Sequence, residues 1–143
     1  MTQCVAACVP RSDKTSALRK HIPVAFALSL ACVCAKASWL KVAETDAAVF
    51  YADPASVLAV GNYRRVWTVI DFKSVQKDGI MSIRGLEEYD CVEQRVRFLS
   101  QTNHPGKLAT GAVLSGVGPI EAWDFIPPNS PLSRVMAVAC TKL

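Results

Sequence analysis

The clearest pattern in the chain is alternation. Between Arg64 and Lys73, Val66, Thr68, Ile70 and Phe72 fall on one side of a period of two, with Trp67 and Val69 on the other. That predicts a long strand with apolar residues on both faces. Residues 87–100 alternate for much of their length, Val92, Val96 and Phe98 opposing Glu93, Arg95 and Arg97, and are predicted to form one central strand. Before these, residues 38–43 and 48–52 read as strands of a hairpin turning over 44–47. Asp53-Pro54 then breaks the ladder, because proline lacks the donor and restricts the residue before it. Residues 56–60 form a short extended or helical piece ending at the turn dipeptide Gly61-Asn62, and Lys77-Asp78-Gly79 leads into a strand over 80–86.

Residues 101–107, with Asn103, His104, Pro105 and Gly106, read as a loop, and 109–114 as one more strand before Gly116, Gly118 and Pro119 interrupt regular structure. Ser130 and Pro131 carry the N-cap and first-turn signals of a helix. Leu132, Val135, Met136 and Ala139 at i, i+3, i+4, i+7 give that helix an apolar face. The predicted fold is α+β: a curved antiparallel β-sheet meander followed by one C-terminal α-helix.

The N-terminus follows another grammar. Arg11, Lys14, Arg19 and Lys20 precede an uncharged apolar run over residues 22–35, and Ala35-Lys36-Ala37 supplies a small-x-small pattern before Ser38. This order predicts a signal peptide over residues 1–37 and a mature domain over 38–143. Residues 1–17, with Cys4, Cys8 and Pro10, fit neither the basic nor the apolar region. A start at Leu18 would give a leader of ordinary length. The apolar run falls short of the roughly 20 residues a membrane span needs, and no other segment comes near it, so no transmembrane segment is expected in the mature chain. Neither Cys32 nor Cys34 sits in a good lipidation signal, which points to a soluble exported product of the periplasm or cell surface.

Removing the leader changes the electrostatics. The whole chain has 16 basic and 12 acidic residues, but Arg11, Lys14, Arg19, Lys20, Lys36 and Asp13 lie in the leader, leaving eleven of each in the mature domain. The basic balance is therefore no argument for a nucleic-acid partner. Four of the six cysteines leave as well, and only Cys91 and Cys140 remain. In an exported protein two lone thiols are oxidised to each other, and a link over so long a loop is worth roughly 4 kcal/mol in the chain-entropy model. The parity of residue 91 raises a difficulty, since Tyr89 and Cys91 alternate with Glu93, Arg95 and Arg97 rather than with Val96 and Phe98. Either the helix packs on the Cys91 face, or a β-bulge near Cys91 shifts the register.

Little in the mature domain specifies a reaction. His104 is its sole histidine, in a Pro-Gly loop with no nucleophile or acid identifiable beside it. With both cysteines bonded, the chain does not assemble a zinc ligand set. Residues 116–118 lack the pattern of a phosphate loop, so neither a cofactor nor a metal is expected. Glu87, Glu88 and Asp90 form an acidic cluster that alternation spreads over two faces. Arg64-Arg65 and the pair Arg95/Arg97 are candidate basic stripes beside Trp67 or Tyr89, or partners of the acids across neighbouring strands.

Several of these features recur together. Trp39, Tyr51-Ala52-Asp53-Pro54-Ala55-Ser56, Gly61-Asn62-Tyr63-Arg64-Arg65-Val66-Trp67, Glu88-Tyr89-Asp90-Cys91, Arg95-x-Arg97-Phe98-Leu99-Ser100, Trp123-x-x-Ile126-Pro127-Pro128 and Cys140 resemble, in this order, the surface-adhesin protein E family of Gram-negative bacteria. The resemblance implies an antiparallel sheet with its C-terminal helix tied on by a disulfide. It also implies exported proteins, some of them lipid-anchored at the surface, that bind host matrix proteins and epithelial cells. The expected function is a non-enzymatic envelope module that offers Arg64, Arg65, Tyr89, Arg95, Arg97 and the His104 loop to a host-matrix or envelope protein. The alternative is a periplasmic small-ligand carrier or enzyme, with a pocket under the helix and His104 or the acidic cluster at its rim. One helix covers only part of one sheet face, so a homodimer is a further candidate for covering the rest.

Overall fold

The structure, a computed structural model, describes residues 38–141; the leader expected over 1–37 lies outside them. Eight strands form one antiparallel sheet: β1 (Leu40–Glu44), β2 (Ala48–Ala52), β3 (Leu58–Val60), β4 (Tyr63–Phe72), β5 (Ser82–Asp90), β6 (Arg95–His104), β7 (Ser115–Val117) and β8 (Asp124–Phe125). The path runs β1-β2-β4-β5-β6-β7, with β3 on β4 and β8 on β6. One helix, α1 (Pro131–Cys140), follows, with Ser130 as its N-cap and Pro131 in its first turn. The predicted α+β fold is the observed one.

The 53–56 signal works as a hinge between two partners of one strand. The Asp53 carboxylate accepts from Ala55 N–H and starts a 3-10 turn over Pro54–Ser56. Trp67 N–H donates to Ser56 Oγ, and Asp53 N–H to the Trp67 carbonyl. The chain thereby leaves β2, which pairs with Thr68–Phe72, and returns as β3 alongside Tyr63–Arg65.

The single strand expected over 87–100 is instead a hairpin. β5 ends at Asp90, residues 91–94 turn with Gln94 at φ 52°, and β6 starts at Arg95. Asp90 drives the reversal: its Oδ1 accepts from the N–H groups of Val92 and Glu93. Asn and Asp side chains make such backbone bonds in turns, and the strand propensity of the flanking residues hid this one. Val92 is accordingly exposed in the turn and not on the core face. The parity difficulty disappears as well, because Tyr89 lies directly opposite Val96, on the same face. A bulge exists, but it falls between Leu86 and Glu87, which face Ser100 and Phe98. Cys91 sits in the turn, from where it bonds Cys140 across 49 residues, with the Cα atoms 5.9 Å apart.

Two further expectations are corrected. The loop expected over 101–107 is mostly strand, since β6 runs on to His104 and pairs with β5 throughout. The strand expected over 109–114 is a 3-10 turn (Lys107–Ala109) and irregular chain; β7 starts at Ser115 and includes Gly116. The whole 114–126 segment runs along the outer edge of β6, with Leu114, Ile120 and Ile126 donating N–H groups to Asn103, Phe98 and Gln94.

The helix packs on one face of the sheet. Ala52, Val66, Tyr89 and Val96 meet Val135 and Ala139 in one buried cluster, closed at the side by Ile126. The opposite face carries Arg65, Trp67 and Val69 of β4, Arg84 and Glu88 of β5, and Arg95 and Arg97 of β6, by the same register. Val69 is fully buried within the single chain.

Candidate functional site

The helix-free face is built by cross-strand pairing. Arg65 stands opposite Glu88, and Glu88 opposite Arg97, so three strands bring two guanidiniums to one carboxylate. Arg65 Nε donates to Glu88 Oε1 at 2.8 Å, and Arg97 Nε to Oε2 at 2.7 Å. Glu88 is 1% exposed while the two arginines keep a third or so of their side chains in water. Burial works against its ionisation, but the hydrogen bonds from Arg65 and Arg97 prevail and hold its pKa below the ordinary glutamate range. Next to this triad, Arg95 Nη2 donates to Asp90 Oδ2 at 2.7 Å, which lowers the Asp90 pKa.

Trp123 extends the face. The guanidinium of Arg97 lies 4.6 Å from its ring centroid and that of Arg95 5.4 Å, and Tyr63 packs against it at 5.2 Å. Arg84 lies 4.2 Å from the centroid of the Trp67 ring. Among the described residues it has no ion pair, and its Nε is buried without a hydrogen-bond partner. The face therefore alternates planar cations and indole rings, each guanidinium fixed by a ring, a carboxylate or both.

Of the residues expected to bind, the structure brings Arg65, Arg95 and Arg97 together. Arg64 points to the other face and spends Nη1 on the carbonyls of Gly61 and Tyr63. Tyr89 is 0% exposed in the core under the helix, where its hydroxyl donates to Glu87 Oε2; strand parity sends it inward. Arg84 and Trp123 are the members that the sequence analysis missed. Arg84 stands opposite Val69 and so one diagonal step from Trp67, a register that counting outward from the turn at residues 77–79 would have missed, since that count sets Arg84 opposite Phe72. Nothing in sequence signals that Trp123, in an irregular segment, returns over β6.

His104 is not in a solvated loop. It ends β6, is buried, and its Nε2 lies 3.0 Å from Thr102 Oγ1. Asp71, Ser82 and His104 stand in one row across β4, β5 and β6. The serine occupies the middle, however, and its hydroxyl is engaged by the loop above, donating to the Gly106 carbonyl and accepting from Ala109 N–H. Asp71 Oδ1 accepts from Leu108 N–H. A nucleophile–base pair requires a serine–histidine bond; Asp71 and Ser82 instead fasten the 105–111 loop, while the His104 ring bonds Thr102. Among the described residues no group of three or more His, Cys, Asp or Glu is placed to hold a metal, and no helix is long and apolar enough to cross a membrane.

The fold and this face define a small disulfide-tied β-sheet module. The profile of the surface-adhesin protein E family matches residues 39–141, and the chain belongs to that family. Its structure resembles that of Haemophilus influenzae protein E, with a TM-score of 0.57 and 11% identity, covering 76% of this chain and 88% of that one. Crystal form II of the same protein matches with a TM-score of 0.58 and 9% identity, over 76% and 91% of the two chains. At such identities the likeness shows the fold. No curated protein sequence matches the chain. Membership makes this an adhesin-like protein, for which the family implies an exported or surface location.

Proposed function

We propose that the mature domain, released from the leader over residues 1–37, is a non-enzymatic module that binds a protein partner of the host matrix or the envelope through its helix-free face. The observation that carries this is the rigid display of Arg65, Arg84, Arg95 and Arg97 between Trp67 and Trp123. Arginine and tryptophan dominate binding energy at protein interfaces, and side chains already held by stacking and ion pairs lose less entropy on binding. Around the two tryptophans, four guanidiniums against Glu88 and Asp90 leave this face positive, with Arg84 in no ion pair among the described residues, which suits an acidic partner surface. The exposed apolar residues Val113, Leu114, Val117 and Ile120 around the outermost strand, β7, support pairing of two copies there.

The test is a pull-down from host-matrix and envelope extracts with protein purified after expression of the full chain. Arg84→Ala/Arg95→Ala leaves both partners of Glu88 in place. It is expected to lose the retained protein while keeping its melting temperature; retention by the double variant equal to wild type would refute the arginine face.

A further inference from the structure

The covered face of the sheet holds a feature the adhesin reading does not use. Between α1 and β4 lies a cavity of about 180 Å³, its walls including Ile70, Phe98, Leu132 and Val135, with Thr68, Glu87 and Tyr51 among its lining. A second space of about 130 Å³ shares Thr68, Ile70, Glu87 and Phe98 and reaches along β5 to Gly85. The first is slightly larger than a cavity of about 150 Å³ that takes up benzene.

Glu87 is common to both spaces and is 3% exposed. Oε1 accepts from Thr68 Oγ1 at 2.7 Å and Oε2 from the Tyr89 hydroxyl. A carboxylate has about four acceptor sites, and hydroxyls fill two. Among the described residues no cation pairs with it: its ion-paired neighbour Glu88 points the other way. Gly85 supplies the second observation. Its φ is ordinary, so the backbone does not require glycine, yet a Cβ there would stand 3.2 Å from Thr68 Oγ1 and 3.7 Å from Glu87 Oε1. The missing side chain keeps open the space beside the carboxyl; glycine inside a strand marks a bulge, here the one between Leu86 and Glu87, or close approach of a ligand.

We infer that the cavity between α1 and the sheet is a binding site for a small primary amine with an aryl or alkyl tail, its ammonium on Glu87 and its tail against Phe98, Leu132 and Val135. Apolar walls with a small number of placed polar groups are the usual make-up of a small-ligand site. An ammonium supplies the donors and the charge that the lone carboxylate lacks. The burial that raises the Glu87 pKa is the cost that a bound cation offsets. The site lies on the other side of the sheet from the arginine face and does not depend on it.

The test is a titration of protein purified after expression of the full chain with 2-phenylethylamine and with its neutral isostere 2-phenylethanol, followed by methyl and aromatic NMR shifts. Shifts are expected at Ile70, Leu132, Val135 and Phe98, with the amine binding about tenfold or more tightly than the alcohol, as a hydrogen bond to a charged group allows. Glu87→Gln is expected to remove that preference while the fold is kept. Gly85→Ala is expected to weaken the amine with the carboxylate still in place. Equal binding of amine and alcohol by the wild type, unchanged amine binding by Gly85→Ala, or the absence of shifts at these residues would each overturn the inference. So would a mass of two chains with the same residues buried between copies and not displaced by the amine.

Discussion

Glu87 points under the helix, where two hydroxyls are its partners, while Glu88 points to the other face between two arginines. The environments move the two pKa values in opposite directions, upward for Glu87 by burial and downward for Glu88 by its arginines. For Glu88 the folded value lies below the unfolded one, so its contribution is present above the ordinary glutamate pKa and is lost as the pH falls through the folded value. For Glu87 the folded value is the higher one, so its contribution is present below the unfolded pKa and is lost as the pH rises through the folded value. Glu88→Gln is expected to cost about 2 kcal/mol at pH 7, since it leaves two partly solvated arginines short of a partner. Glu87→Gln is expected to leave stability unchanged or raised at pH 7, its advantage over wild type growing as the pH climbs above about 4.3. Urea unfolding of the three proteins between pH 4 and 8 measures both; a parallel response of the two variants would contradict these environments.

At the scale of elements, the β5–β6 hairpin carries the covalent tie to α1. Loss of the Cys91–Cys140 bond, by Cys91→Ser or reduction, is expected to cost about 2–5 kcal/mol, read as a lower urea midpoint. Ser130→Ala is expected to cost about 1 kcal/mol, because the Ser130 hydroxyl accepts from Ser133 N–H at the helix start; an unchanged midpoint would deny that cap a role. Much of this architecture was legible. The helix with its cap, the long β4 and its turn, the β1–β2 hairpin and the cysteine pair all follow from local signals in the chain. The 91–94 turn was not legible, because Cys91, Val92, Glu93 and Gln94 hold neither Gly nor Pro, and the reversal is set by the side chain of Asp90. The extent of β6 was hidden for the opposite reason: Asn103, His104 and the Pro-Gly step after them look like loop, but pairing with β5 holds them extended. For the candidate site, the cross-strand pairing of arginines with acids was readable from alternation. The packing of Trp123 depends on how residues 114–126 run back along β6, which no local signal encodes.

For the whole molecule, the second face of β4 needs no partner to bury Val69, because the chain buries it unaided. The β7 edge keeps exposed apolar residues, and Val117→Lys is expected to convert a two-chain species into a single chain by light scattering at high micromolar concentration. A one-chain mass for wild type would remove that edge from the account. The arginine–tryptophan face is the central claim, and the partner retained in the pull-down tests it most directly. Adding that partner to isotopically labelled protein is expected to shift the indole N–H signals of Trp67 and Trp123 and the Nε–H signals of Arg84 and Arg97, leaving the methyls of Leu132 and Val135 in place. Shifts confined to the helix side, with Trp67 and Trp123 unmoved, would contradict it.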